Sequence, residues 1–224
     1  MPHRDPDAQP GPEDLVQASR RSGVTDPRIL EALGRIRREG FVPPTWRDRA
    51  YGDRPVPIAH GQVTTQPSLV AQMVAALRLR GTERVLELGT GLGFQTAIVA
   101  TVAAEVFSIE RFPDLAHQAL RNLRDAGIEN ATVVVGDGTL GLPEHAPFDA
   151  VVVSAAAPWV PDPLVEQLSN GGRLVHPLGP GGQEVVTAFR KEGGSLVRET
   201  AVVPAHFVRL VGEQGLPEDD PFTN

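Results

Sequence analysis

Residues 85–95 read Val-Leu-Glu-Leu-Gly-Thr-Gly-Leu-Gly-Phe-Gln, an apolar run broken by three alternate glycines before apolar residues resume. The pattern is a strand that enters a turn at Gly89, Gly91 and Gly93 and leaves it as a helix. Glycines at the carboxyl end of a first strand let the backbone approach a ligand closely. Downstream, apolar runs at residues 84–88, 105–109, 132–135 and 150–153 alternate with helix-length stretches at 95–103 and 114–126, as in a doubly wound α/β sheet. Those runs are continuous in Val, Ile and Leu rather than alternating, which predicts strands covered on both faces and therefore parallel.

The flanks extend this frame. Residues 13–22 and 27–38 have helical spacing, with Asp26 ahead of Pro27 as a start and Gly40 as a stop. Four prolines and a glycine break residues 41–57, so an ordered but irregular loop is expected there. Residues 161–168 supply one more helix, stopped by Asn170-Gly171-Gly172. Beyond Gly182 the stretches QEVVTAFR, SLVRETAVV and HFVRLVG all read as strands, and antiparallel pairing would explain the missing helices.

The ligand class follows from spacing. A dinucleotide fingerprint places its third small residue at position 94, which is Phe94 here. Glu87, just before the glycines, would repel a phosphate but attract an amino group or a sulfonium, directly or through water. The pattern therefore argues against NAD and for S-adenosylmethionine, which has no pyrophosphate. The second strand ends at Glu110, 23 residues beyond Glu87 (110 − 87), near the roughly 20-residue interval expected for a carboxylate that binds ribose hydroxyls. The third ends in VVVGDG, placing Asp137 and Gly138 where an adenine amine would find an acceptor beside flat backbone.

Composition narrows the partners. The 224 residues and 41% hydrophobic content suit one domain, expected over residues 13–212 with N-terminal helices and an acceptor-site loop at 13–81 and the cofactor-binding sheet at 82–212. Residues 1–12 read as a disordered head, and residues 213–224 as a polar, solvated tail. With 28 acidic against 21 basic residues the net charge is -7, which repels nucleic acid and anionic lipid. There are no cysteines, no targeting segment is readable, and no apolar run approaches the roughly 20 residues of a membrane span. A cytoplasmic protein, monomeric and free of membrane, is the expectation.

Taken together, FVPPTWRDRAYGDRPVPIAHGQVTTQP, VLELGTGLGFQTAIVA, VFSIE, VVVGDG, APFDAVVVSAAAPWVP, QLSNGGRLVHPLGPGGQ and HFVRLVG resemble the protein-L-isoaspartate O-methyltransferase family over about residues 26–212. The resemblance implies a seven-stranded, mostly parallel Rossmann-like sheet with antiparallel C-terminal strands and leading helices. It implies methyl transfer from S-adenosylmethionine to the free carboxylate of L-isoaspartyl residues in damaged proteins and peptides, the first step of repair through a succinimide. No metal is implied. It extends the cofactor contacts to Gln62, Val63, Thr90 and Arg111, and places Val211 beside the substrate.

In this family a serine hydroxyl orients the acceptor carboxylate within a Gly-His-Gly-Gln-Thr-Ile-Ser-Gln-Pro type block. Residues 59–67 here read Ala-His-Gly-Gln-Val-Thr-Thr-Gln-Pro, so Thr65 stands at the serine position and Val63 replaces the family threonine. A shifted register would let Thr64 donate instead. His60 either contacts the acceptor carboxylate or braces the loop. His176 reads as a satisfied structural histidine, and Trp46 and Trp159 as core or lid packing. HFVRLVG is similar to a family segment that carries proline at the position of Arg209. Two alternatives stay open at this level: a dedicated aspartyl peptide or small-molecule acceptor, and a non-catalytic S-adenosylmethionine-binding module.

Overall fold

The computed structural model describes residues 10–179 and 183–218. Residues 1–9 of the expected head and 219–224 of the expected tail lie outside them. Two helices lead, α1 (Pro12–Arg21) and α2 (Pro27–Arg35). Asp26 caps α2 by accepting the Arg28 backbone N–H at 2.9 Å. The helix stops three residues short of the sequence expectation because Ile36 turns extended and a 3-10 turn, Arg38–Phe41, follows. The proline-rich loop holds a second 3-10 turn at Pro44–Arg49 before a two-residue ribbon, β1 (Val56–Pro57) against β2 (Val63–Thr64).

Helix α3 (Pro67–Leu77) was not expected from periodicity, since PSLVAQMVAAL is apolar around most of its circumference. Val70, Ala71, Met73, Val74 and Leu77 are all buried in it. Its first turn is held across the chain by Asp53, whose carboxylate accepts the Ser68 backbone N–H and hydroxyl at 2.9 and 2.8 Å.

The remaining elements are β3 (Arg84–Leu88), α4 (Phe94–Ala100), β4 (Glu105–Glu110), α5 (Pro113–Asp125), β5 (Ala131–Val135), β6 (Phe148–Val153), α6 (Asp162–Gln167), β7 (Leu168–Leu178), β8 (Glu184–Glu192) and β9 (Ser195–Ala205). They form a seven-stranded sheet in the order β5-β4-β3-β6-β7-β8-β9. Pairing is parallel from β5 through β7 and antiparallel for β8 and β9. Period-2 alternation splits β3: Val85 joins a core with α1 to α4, while Leu86 and Leu88 join a second core on the other face with Phe107, Phe148 and Leu164. The order of strands reverses between β3 and β6, which opens a crevice at their carboxyl ends.

HFVRLVG is not a strand of this sheet. Its bonds go past the sheet end instead: the Ala156 N–H donates to Val208 O and the Leu210 N–H to Ala156 O, each at 2.7 Å. The segment therefore lies over the end of β6. The polar tail also begins later than residue 213, because the Glu213 N–H donates to Asp137, the Gln214 N–H to Thr139 and Arg111 pairs with Glu218.

His176 sits inside β7 opposite Thr187, with no exposed surface. Among the described residues neither ring nitrogen meets a hydrogen-bond partner of good geometry, so the expectation of a satisfied histidine is corrected to a buried one. The Ala155 backbone favours the charged ring, yet burial dominates and pushes the pKa down to about 3. The folded state then binds fewer protons than the unfolded chain below pH of about 6.5, so stability present at neutral pH is lost on acidification. In urea unfolding, wild type should lose roughly 2 kcal/mol between pH 7 and 5 through this group, and His176→Leu should not. The variant should also be more stable at pH 7 by about 1 kcal/mol. Equal acid sensitivity in both proteins would remove the histidine from this account.

Candidate active site

A cleft of about 870 Å³, counting its open mouth, occupies the crevice at the strand ends. One wall is the glycine turn, with Leu88, Gly89, Thr90 and Gly91; the strand ends add Glu110, Arg111, Gly138 and Ser154. Opposite them lie Gln62, Val63, Thr64 and Thr65 from the block around β2, and Val208 to Val211 from the terminal segment. Gly89, Gly91 and Gly93 take φ of +88°, +55° and +92°, conformations that side chains of L-residues resist. Gly93 does not line the cleft; it starts α4 and turns the chain away.

Glu87 also lies outside the lining. It points to the same face as Val85, beneath the turn, and has no exposed surface. Its carboxylate accepts from Gln95 Nε2 at 3.0 Å, Thr96 Oγ1 at 2.5 Å and Ser108 Oγ at 2.6 Å. Ser108 Oγ also lies 2.6 Å from Thr90 Oγ1. The expected ligand contact is thus corrected: Glu87 shapes the turn through its neighbours. Burial pushes its pKa up to about 7 against the three donors, with Glu110 adding to the rise.

Glu110 reaches the cleft. Its two oxygens accept the backbone N–H of Gly91 at 2.8 Å and of Phe112 at 3.1 Å, which fixes the carboxylate and leaves lone pairs for a ligand. Burial raises its pKa, opposed by those N–H groups. Asp137 does not line the cleft. Its Oδ1 accepts Thr139 N–H and hydroxyl at 2.9 and 2.7 Å and its Oδ2 accepts Glu213 N–H at 2.7 Å, so it docks the terminal segment while Gly138 faces the cavity.

The acceptor block separates its two threonines. Thr64 is buried and its hydroxyl accepts from Arg38 Nη2 at 3.1 Å. Thr65 lines the cleft, and its hydroxyl has no hydrogen-bond partner among the described residues. His60 lies outside the cleft, correcting its reading as a substrate contact. Its Nε2 is 2.9 Å from both Asp114 oxygens and its ring stacks on Phe112 at 4.1 Å, which braces the loop against the start of α5.

Sequence reading missed Arg38, Gln95 and Ser154. Gln95 Nε2 donates to Glu87 and to Ser154 Oγ at 2.7 Å, while its buried Oε1 has no partner and its side chain lines the cleft. The position directly after Phe94, on the first turn of α4, was the available signal. This residue set fits S-adenosylmethionine: an orphaned acceptor suits an ammonium group, a fixed carboxylate suits a diol, and a backbone turn suits close approach.

Sheet order, glycine turn and cleft define a class I methyltransferase. The sequence model of the protein-L-isoaspartate(D-aspartate) O-methyltransferase family matches residues 11–215, and the chain belongs to that family. Proteins named protein-L-isoaspartate O-methyltransferase are similar to it: one from Aeropyrum pernix is 45% identical, over 92% of this chain and 81% of its own. One from Marinobacter nauticus is 48% identical over 87% and 90%. A solved structure titled protein-L-isoaspartate O-methyltransferase superposes with a TM-score of 0.79 at 29% identity, covering 91% of this chain and 67% of that one. A Plasmodium falciparum structure, titled as such an enzyme with S-adenosyl-L-homocysteine, shares the fold with a TM-score of 0.74 at 23% identity, over 90% and 98%.

The raised Glu87 pKa has a defined sign. Between about 4.5 and 7 the folded state binds more protons than the unfolded chain, so stability falls as pH rises through that window. Glu87→Gln should therefore gain on wild type across it, on the order of 1 kcal/mol per pH unit in urea unfolding. A constant difference between the two proteins from pH 5 to 7.5 would mean the buried carboxylate ionises normally.

Proposed function

We propose that this chain transfers a methyl group from S-adenosylmethionine to the free carboxylate of L-isoaspartyl residues, and that Thr65 is the hydroxyl that orients that carboxylate. The observation that carries the assignment is Thr65 itself, the less buried of the two threonines that line the cleft, whose hydroxyl has no partner among the described residues while that of Thr64 accepts from Arg38. Family membership and relatives at about 45% identity over most of the chain support the activity.

The chemistry asks little of the protein beyond placement. The bound cofactor supplies an electrophilic methyl on a sulfonium. An acceptor carboxylate with an ordinary pKa of about 4 is already ionised at neutral pH, so no general base is needed. Glu110 would bind the ribose hydroxyls, Gln95 Oε1 would accept from the amino group, and Gly89, Thr90, Gly91 and Gly138 line the floor. Arg111, Gln62 and Val63 close the cofactor side. Thr65 would donate to one oxygen of the acceptor carboxylate, with Val211 on the same cleft, leaving the other oxygen to take the methyl. Orientation of this kind can supply roughly 7 to 11 kcal/mol. The ester then closes to a succinimide as the neighbouring backbone nitrogen displaces methanol, and water reopens the ring in part to aspartate.

Among the described residues no helix is long and apolar enough to cross a membrane. We assign the chain to the cytoplasm, as a monomer without nucleic-acid partners, on its net charge of -7 and its lack of cysteine.

With tritiated S-adenosylmethionine, synthetic isoaspartyl peptides should gain base-labile methyl esters and aspartyl controls should not. Thr65→Ser should retain turnover, and Thr65→Val should lose roughly tenfold or more in kcat/KM, as expected for one lost hydrogen bond to a charged group. Methylation confined to the aspartyl control would move the acceptor to another class. Unchanged kinetics in Thr65→Val would take the role from this residue.

A further inference from the structure

Arg38 is a charged side chain with no exposed surface, on a 3-10 turn distant in sequence from the cleft. Its Nη1 donates to the carbonyls of Ala50 and Gly52 at 2.8 and 3.0 Å. Its Nη2 donates to Arg54 O at 3.0 Å, Thr64 Oγ1 at 3.1 Å and Thr65 O at 3.3 Å. The guanidinium carbon lies 5.5 Å from the centre of the Phe94 ring, on the residue that follows the glycine turn. Burial brings the guanidinium down to about 10, with Asp53 opposing, so it is fully charged at neutral pH.

Four of its five acceptors are backbone carbonyls, and none is a carboxylate. Burying an unpaired cation is costly, and a core fills such a space more cheaply with apolar residues. A fork of fixed geometry is what the arrangement supplies: it joins the loop at 50–54 to the acceptor block and sets both against α4. By engaging the Thr64 hydroxyl oxygen and the Thr65 carbonyl together, the fork fixes the backbone of the pair where Thr65 lines the cleft.

We propose that Arg38 is a positioning residue for methyl transfer, acting through Thr65 by holding the backbone of the Thr64-Thr65 pair through the Thr64 hydroxyl oxygen and the Thr65 carbonyl. The inference rests on the isoaspartyl reading above.

Arg38→Lys keeps the charge and loses the fork. In the full-length enzyme it should bind S-adenosyl-L-homocysteine within about threefold of wild type by calorimetry, while kcat/KM for an isoaspartyl peptide falls on the order of tenfold, no further than in Thr65→Val. If Arg38 acts through Thr65, its effect vanishes in a Thr65→Val background, so the double variant is no worse than Thr65→Val alone. A purely structural role instead gives additive losses and weakened homocysteine binding, and overturns the proposal. Should Arg38→Lys fail to fold, nitrogen-15 arginine NMR of the unsubstituted enzyme decides. The Arg38 guanidinium signals should shift when peptide joins the saturated homocysteine complex, and peptide binding without that shift overturns the proposal. If wild type leaves isoaspartyl peptides unmethylated, both this inference and the reading beneath it fall; if wild type is active and the losses are additive, only this one does.

Discussion

The fold depends on a carboxylate that never meets solvent. Glu87 ends its side chain under the glycine turn, where Gln95, Thr96 and Ser108 donate to it from α4 and β4. A buried acid of this kind is tolerable only when its oxygens are satisfied, and satisfying them fixes three elements at one point. The turn above inherits that rigidity. Gly91 can then present its N–H to Glu110, and Thr90 is tied to Ser108 from the cavity side. One carboxylate shapes the cleft and a second faces it.

The acceptor side is organised by a cation in the same way. Arg38 gathers backbone carbonyls from a proline-rich loop that has little regular structure of its own, and it reaches the acceptor block in the same fork. Asp53, close by, starts α3 from a distance. The loop at 41–57 is thus irregular in conformation but closely specified in hydrogen bonding. His60 closes the outer rim by stacking on Phe112 and meeting Asp114. The terminal segment completes the enclosure through Asp137 and Thr139, which explains why Asp137 is turned from the cavity.

Much of this was legible without coordinates. The strands at 84–88, 105–109 and 150–153 stand close to their expected bounds, because parallel strands covered on both faces leave an uninterrupted apolar record. Glu110 and Gly138 fall on the cleft because strand ends and glycine spacing fix them locally, and Thr65, reached through the family resemblance of residues 59–67, lines it as well. Helix α3 escaped notice since a helix buried on most sides has no polar face to reveal its period. HFVRLVG misled for a related reason: its apolar character reports burial, and burial here comes from lying over the end of β6 rather than from joining the sheet.

The sequence alone determined the order of elements, the glycine turn, the cofactor class and the threonine pair, all of which are encoded in neighbours along the chain. Only the tertiary structure decided which of those groups face the ligand. Glu87 and Glu110 look equivalent as acidic residues at strand ends, yet one is enclosed by donors and the other is open to the cavity. Thr64 and Thr65 are adjacent, and a guanidinium 26 residues before Thr64 bonds the hydroxyl of one and the carbonyl of the other. Hydrogen-bond partners brought together across such distances leave no periodic trace, because the folded chain, not the local pattern, selects them.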